Sequence, residues 1–216
     1  MSYTPHPSPR LQTLFAAQPW QGADPMQAKY IFVGLDANFA IDVETQIPEI
    51  VSYLQDGSQF WRKTGNHHPF VLDTYKGSGG LYHKNFKLIE FTRDEAGQVS
   101  FVELVQKPTT GRNKLVVGDL LLQHMNWLQN IFDNGNAKYI LISPAATKLM
   151  KNISVFSWLR YNPNRNEDDL VVLRDNATAV PRQIIYEMYH LSNYGKYDAK
   201  LKQQIIQLKK IVISER

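Results

Sequence analysis

Four short apolar runs set the terms on which this chain can fold: residues 30–35 (YIFVGL), 100–105 (SFVELV), 139–143 (YILIS) and 183–189 (QIIYEMY). Each is shorter than an ordinary helix, nearly continuous in apolar residues, and reads as a strand buried on both faces. The segments around them have helical character. Pro48 opens PEIVSYL, which Gly57 is expected to stop, and residues 115–132 read as a helix ended by a DNG turn. Pro144 suits the first position of a helix through ATKLMKN. Asp198 can cap a last helix in which Leu201, Ile205, Leu208 and Val212 form one apolar stripe. Strands alternating with helices predict an α/β fold: a three-layer α/β/α arrangement around a central, mainly four-stranded parallel sheet.

Other stretches are less regular. Residues 1–28 carry Pro5, Pro7, Pro9, Pro19 and Pro25, and read as an irregular leader with at most one helical turn near 11–17. Residues 58–90 mix aromatics, histidines and glycines with no clean period. Residues 160–182 combine a turn run, NPNRNEDD, with a short strand, LVVLR. No repeat or interdomain linker is visible, so 29–216 reads as a single domain.

Several classes are excluded early. No apolar run has the length to cross a bilayer, and MSYTPHPSPR lacks the apolar stretch of a signal peptide. The chain has no cysteine, which removes disulfides, thiolate zinc sites and iron–sulfur clusters and fits a cytoplasmic location. His67 and His68 are adjacent, so on an extended segment they point opposite ways, and no second pair stands at ligand spacing; no metal and no cofactor are expected. Net charge is +4. Residues 195–216 alone hold Lys196, Lys200, Lys202, Lys209, Lys210 and Arg216 against Asp198 and Glu215, which is compatible with a polyanion partner and equally with a solvated helix face.

In open α/β sheets, ligands bind beyond the carboxyl ends of the strands. Asp36 stands there, two positions after Gly34, where it either serves chemistry or caps a turn. Glu103 lies within the second run, ahead of a Pro108–Gly111 turn, and a His190-Leu-Ser192 loop follows the last. An acid after the first strand and a histidine loop after the last, in this order, resemble the uracil-DNA glycosylase superfamily. The match is Gly34-Leu35-Asp36-Ala37-Asn38-Phe39 for its first motif and His190-Leu191-Ser192-Asn193-Tyr194-Gly195 for its second. Gln59-Phe60-Trp61-Arg62 is similar to the Phe-Trp segment of the mismatch-specific branch.

That resemblance implies a DNA glycosylase that hydrolyses the N-glycosidic bond of a damaged or deaminated base, acting as a monomer on DNA without a cofactor. Asp36 would stabilise an oxocarbenium-like sugar and position water. His190 would donate to the departing base. Gly34, Leu35, Asn38, Phe39, Glu103, Phe60 and Trp61 would surround the base, although aromatics at such spacing more often belong to the core. Tyr194, four positions after the histidine, matches the family wedge that fills the gap left by a flipped base, or packs on the last helix. Ser192, Asn193, Lys196 and Lys200 would hold the DNA backbone.

The chain departs from the uracil-specific pattern in three places. Asn38 replaces a tyrosine that excludes a 5-methyl group, and Ala37 replaces a proline. Glu103 stands where the family often carries a base-reading asparagine. An ionised carboxylate only accepts hydrogen bonds, so Glu103 suits an edge rich in N–H donors, or serves protonated, or turns away to pair with Lys107 or Arg112. A non-catalytic relative that binds nucleic acid or a base in the same pocket is the alternative. A small-molecule α/β hydrolase ranks below both, because no Gly-x-Ser-x-Gly elbow or cysteine nucleophile is present.

Overall fold

The computed structural model describes residues 2–159, 169–178 and 182–216. Apart from Asp169, the NPNRNEDD run lies outside them. In chain order the elements are β1 (Thr4–Pro5), α1 (Pro9–Ala17), β2 (Trp20–Gly22), β3 (Tyr30–Gly34), α2 (Val43–Gln46), α3 (Glu49–Gln55), α4 (Gly57–Thr64), α5 (Gly80–Lys87), β4 (Val99–Glu103), β5 (Thr109–Thr110), α6 (Leu122–Asn134), β6 (Tyr139–Ile142), α7 (Pro144–Met150), β7 (Val171–Asn176), β8 (Gln183–Glu187) and α8 (Asp198–Ser214). The fold is mixed α/β, with a six-stranded, mostly parallel sheet in the order β2-β4-β3-β6-β8-β7 and a small β1–β5 pair.

The four apolar runs supply the middle of that sheet. β3 lies parallel to β4 on one side and to β6 on the other, and β6 is parallel to β8. Successive side chains leave a strand on opposite faces. Ile31, Val33, Ile140 and Ile142 therefore enter one cluster with Met125, Leu128, Ile131 and Phe132 of α6 and Met150 of α7. Tyr30, Phe32, Tyr139 and Leu141 enter another, with Phe86 of α5 and the Leu201, Ile205, Leu208 and Val212 stripe of α8. Each such side chain contributes about 1.5–3 kcal/mol on full burial, which is why β3, β4, β6 and β8 carry no charged residue before their last position.

The proline-rich start is not an irregular leader. Ser8 caps α1, accepting from the N–H of Leu11 at 3.2 Å, and Pro9 fits the first turn because its missing N–H costs nothing there. Leu11 and Phe15 are buried in a third cluster with Phe39 and Ile50. The chain then joins the sheet: Trp20, Gln21 and Gly22 pair antiparallel with Val102, Phe101 and Ser100. Gly22 needs its positive φ (81°), and a Cβ there would lie 2.6 Å from the Val99 carbonyl oxygen.

Two helix boundaries also differ from expectation. Gly57 does not end a helix but begins α4, because Asp56 caps it by accepting from the Gln59 N–H at 2.8 Å. α6 starts at Leu122 rather than near 115: Asp119 accepts from the N–H of Val116 at 3.0 Å and holds a tight turn over Val117–Asp119 instead. Among the described residues no helix is long and apolar enough to cross a membrane.

At the basic chain end, Lys202, Lys209 and Arg216 are ion-paired within the protein. Glu215 pairs with Lys29 (3.0 Å) and with Lys138, Arg216 pairs with Glu95 (2.9 Å), Lys209 with Glu90, and Lys202 with Asp198 (2.6 Å).

Candidate active site

The carboxyl ends of β3, β4 and β8 converge on one cavity of about 260 Å³. Asp36, His190 and Glu103 all line it, together with Gln21, Asn38, Phe39, Phe101, Ser192 and, from the middle of the chain, His68, Phe70, Ser78, Gly79, Tyr82 and His83. The sheet explains the convergence. Parallel strands end at one edge, so residues 36, 103 and 190 arrive there although far apart in sequence.

Asp36 is held by side chains from the loop around β5. Thr109 Oγ1 donates a short bond to its Oδ2, Asn113 Nδ2 donates to the same oxygen at 2.8 Å, and Asn38 Nδ2 reaches it at 3.4 Å. Oδ1 takes none of these bonds. Among the described residues no backbone N–H bonds the carboxylate, so Asp36 is not the turn cap its position allowed. The loop is clamped from behind. Thr109 exchanges backbone bonds with Ala37 and Phe39 at 2.9 Å each, and Asn38 Nδ2 also donates to Thr109 Oγ1 and to the Gly111 carbonyl at 3.0 Å. The PTTG stretch is therefore the brace of the acid rather than a free turn, and the roles of Thr109 and Asn113 had no signature in the sequence.

His190 is oriented by its own loop. The Ser192 N–H donates to its Nδ1 at 3.3 Å and the Ser192 hydroxyl lies 2.5 Å from the same nitrogen. With Nδ1 accepting, the neutral ring carries its proton on Nε2. Burial lowers the imidazole pKa and the Asp36 charge opposes that shift, leaving a net depression that favours the neutral ring. Asn85 Nδ2 ties the loop to α5 by donating to the Leu191 carbonyl at 2.6 Å, and the Asn193 N–H donates back to the His190 carbonyl at 2.8 Å. Tyr82 packs against the His190 ring, centroids 5.1 Å apart.

Glu103 makes no ion pair with Lys107 or Arg112 and, among the described residues, no side-chain hydrogen bond. Burial first, and the Asp36 charge second, push its carboxyl well above the usual carboxylate range. Its neighbour across the β3–β4 register is Gly34, where a Cβ would lie 2.1 Å from Glu103 Oε2. Gly34 thus does not touch the cavity; it makes room for the acid that does.

The remaining predicted residues divide. Asn38, Phe39 and Ser192 line the cavity. Leu35 does not; it packs on the α6 side of the sheet. Phe60 and Trp61 do not either. Phe60 is buried against Tyr53 at 5.7 Å, and Trp61 sits against His67 and Phe86 at 5.7 and 6.1 Å, because α4 turns both inward. Tyr194 is 77% exposed, so it does not pack on the last helix. Lys196 lies 4.9 Å from the centre of the Tyr197 ring, at the turn leading into α8.

The histidines of the irregular stretch form the back of the site. His67 and His68 both reach His83: His67 Nε2 lies 3.1 Å from His83 Nδ1, and the His68 and His83 rings stack at 3.6 Å. Burial drives His67 and His68 well below the usual histidine range, and burial first, with the nearby His190 imidazole second, takes His83 to about 3. All three are neutral near pH 7. Among the described residues no group of three or more His, Asp or Glu is placed to hold a metal ion.

No protein-family model matches the chain, and no curated protein matches its sequence.

Proposed function

We propose that this chain is a DNA glycosylase of the uracil-DNA glycosylase type, hydrolysing the N-glycosidic bond of a damaged or deaminated base. What carries the reading is a single observation: a carboxylate with one free oxygen and a neutral imidazole with one free N–H face the same cavity. Bond cleavage builds positive charge on the sugar and negative charge on the base. Asp36 Oδ1 would stabilise the first and hold the attacking water. The Nε2–H of His190 would bond the base oxygen as negative charge develops there, a contribution of about 3 kcal/mol or roughly 100-fold in rate. The neutral ring keeps this donor because Nδ1 is the accepting nitrogen and the proton lies on Nε2. Phe39 and Phe101 would offer apolar surface to a base lifted from its stack, and the exposed Tyr194 would occupy the gap. On this reading the sheet is the centre of a three-layer α/β/α domain around four parallel strands, and the protein works on DNA as a cytoplasmic monomer.

A second reading is a non-catalytic protein that binds a base or nucleic acid in the same cavity. The observation favouring it is that ion pairs within the chain take up Lys202, Lys209 and Arg216 of the basic chain end, reducing the field available to DNA.

Base release from oligonucleotides carrying uracil, hypoxanthine, xanthine or alkylated bases separates the two. The glycosylase reading expects release by the wild type, loss of at least about 100-fold in His190→Ala, and a comparable or larger loss in Asp36→Asn. Salt-sensitive binding without release supports the second reading, and release undiminished in both variants refutes the first.

A further inference from the structure

The cavity holds three polar side chains that bond no other group among the described residues: the Gln21 amide, the Tyr82 hydroxyl and the Glu103 carboxyl. Gln21 is only 7% exposed. None of their polar atoms is sealed from the cavity, so their donors and acceptors stay open to a bound molecule. Gln21 and Glu103 also share a face of the sheet. Gln21 stands opposite Phe101 in the β2–β4 register, and Glu103 follows Phe101 by two residues, which returns its side chain to the same side. Phe101 lines the same wall. Gly34 leaves the space across which the Glu103 carboxyl extends.

We propose that Gln21 and Glu103 act as a pair that reads the edge of a heterocycle carrying a carbonyl beside a ring N–H, an inference that rests on the glycosylase reading. An amide offers donors and an acceptor, and a protonated carboxyl offers one of each. The two together satisfy a carbonyl and a neighbouring N–H at once. An ionised Glu103 would instead press lone pairs against the carbonyl. The groups facing Glu103 favour the neutral acid: Asp36 from the loop after β3 repels its charge, Tyr53 of α3 and Tyr82 of α5 stand near it, and His190 approaches from beyond β8. His124 of α6 bonds only its backbone carbonyl, at 2.8 Å. No lysine or arginine lines the cavity among the described residues. Its burial and the Asp36 charge hold the acid protonated above the usual carboxylate range.

The test is kcat/KM for release of hypoxanthine and uracil, with adenine and cytosine as amino counterparts, measured from acid to alkaline pH. Wild type is compared with Glu103→Gln, Glu103→Leu and Gln21→Leu, each first shown to be folded by its thermal transition. Glu103→Leu and Gln21→Leu are expected to lose about 100-fold on the carbonyl-bearing bases. Glu103→Gln, which keeps a donor and an acceptor, is expected to stay within about tenfold and to lose the alkaline fall that Glu103 ionisation imposes on the wild type. Wild-type activity in Glu103→Leu, an unchanged alkaline limb in Glu103→Gln, or equal losses in both Glu103 variants overturns the pair while leaving the glycosylase reading standing. No release of any base by the wild type overturns both.

Discussion

Gly34→Ala tests the geometry on which the site is built. The added Cβ would stand 2.1 Å from Glu103 Oε2 and 2.9 Å from its Cδ, where ordinary contact begins near 3.4 Å. The carboxyl must therefore retreat by more than an ångström. The backbone at Gly34 lies outside the left-handed region, so alanine itself fits. Replacing glycine at such a position is worth about 0.4–1 kcal/mol in favour of folding, through the unfolded chain. Forcing the Glu103 side chain off its preferred rotamer costs about 0.5–1.5 kcal/mol. In the wild-type background the two nearly cancel. In a Glu103→Ala background the obstacle is gone and Gly34→Ala is expected to stabilise by the full entropic gain. A double-mutant cycle in urea, with equal denaturant slopes, is expected to give a coupling of about 1 kcal/mol, above the roughly 0.3–0.5 kcal/mol scatter of independent sites. Additivity within that scatter would refute the placement of the Glu103 carboxyl over Gly34, and with it the account of why a glycine ends β3.

Other expectations follow from the charges. Glu103 binds its proton more tightly in the folded state, so stability should be whole at acid pH and fall as pH rises from the ordinary carboxylate range toward its raised value, by at most about 1.4 kcal/mol per pH unit. Glu103→Gln should flatten that slope in denaturation curves taken across pH. Glu215 behaves oppositely: burial would raise its pKa, but bonds from Lys138, Lys29 and Tyr139 bring it to about 2. Its contribution is present above the usual value of 4.5 and drains away as pH falls toward 2. Because Lys29 and Lys138 are 26% and 32% exposed, Glu215→Gln should cost only about 1–2 kcal/mol at neutral pH, read from the shift in urea midpoint. Tyr194→Ala should leave stability within about 0.5 kcal/mol, as befits an exposed residue, while weakening binding to a duplex with a flippable base by about tenfold in a fluorescence titration.

The parts legible in the sequence are those where one physical demand dominates. A central strand buried on both faces must be apolar throughout, so β3, β4, β6 and β8 stood out, and with them the strand-end positions of Asp36, Glu103 and His190. The α8 stripe was equally plain. β2 was not legible, because three residues carry no period and Gln21 is polar yet buried. Nor was the histidine wall. His67 and His68 are neighbours that both turn to His83, an arrangement made by the turn at Pro69 and the start of α5 rather than by spacing. Phe60 and Trp61 show the converse failure: a motif-like phrase whose side chains α4 directs into the hydrocarbon interior. The apolar run at 115–121 looked helical, but Val116, Val117 and Leu121 remain exposed ahead of α6.

The antiparallel edge strand at residues 20–22 has a consequence for how the protein comes off the ribosome. Its hydrogen-bonding partner is residues 100–102, so the nascent ribbon waits while some eighty residues are made, or roughly 4–16 s at ordinary elongation rates. Cavity walls drawn from Gln21 at one extreme and Ser192 at the other mean that no early fragment owns a finished pocket. The last of those walls would be in place only after Ser192 has been made.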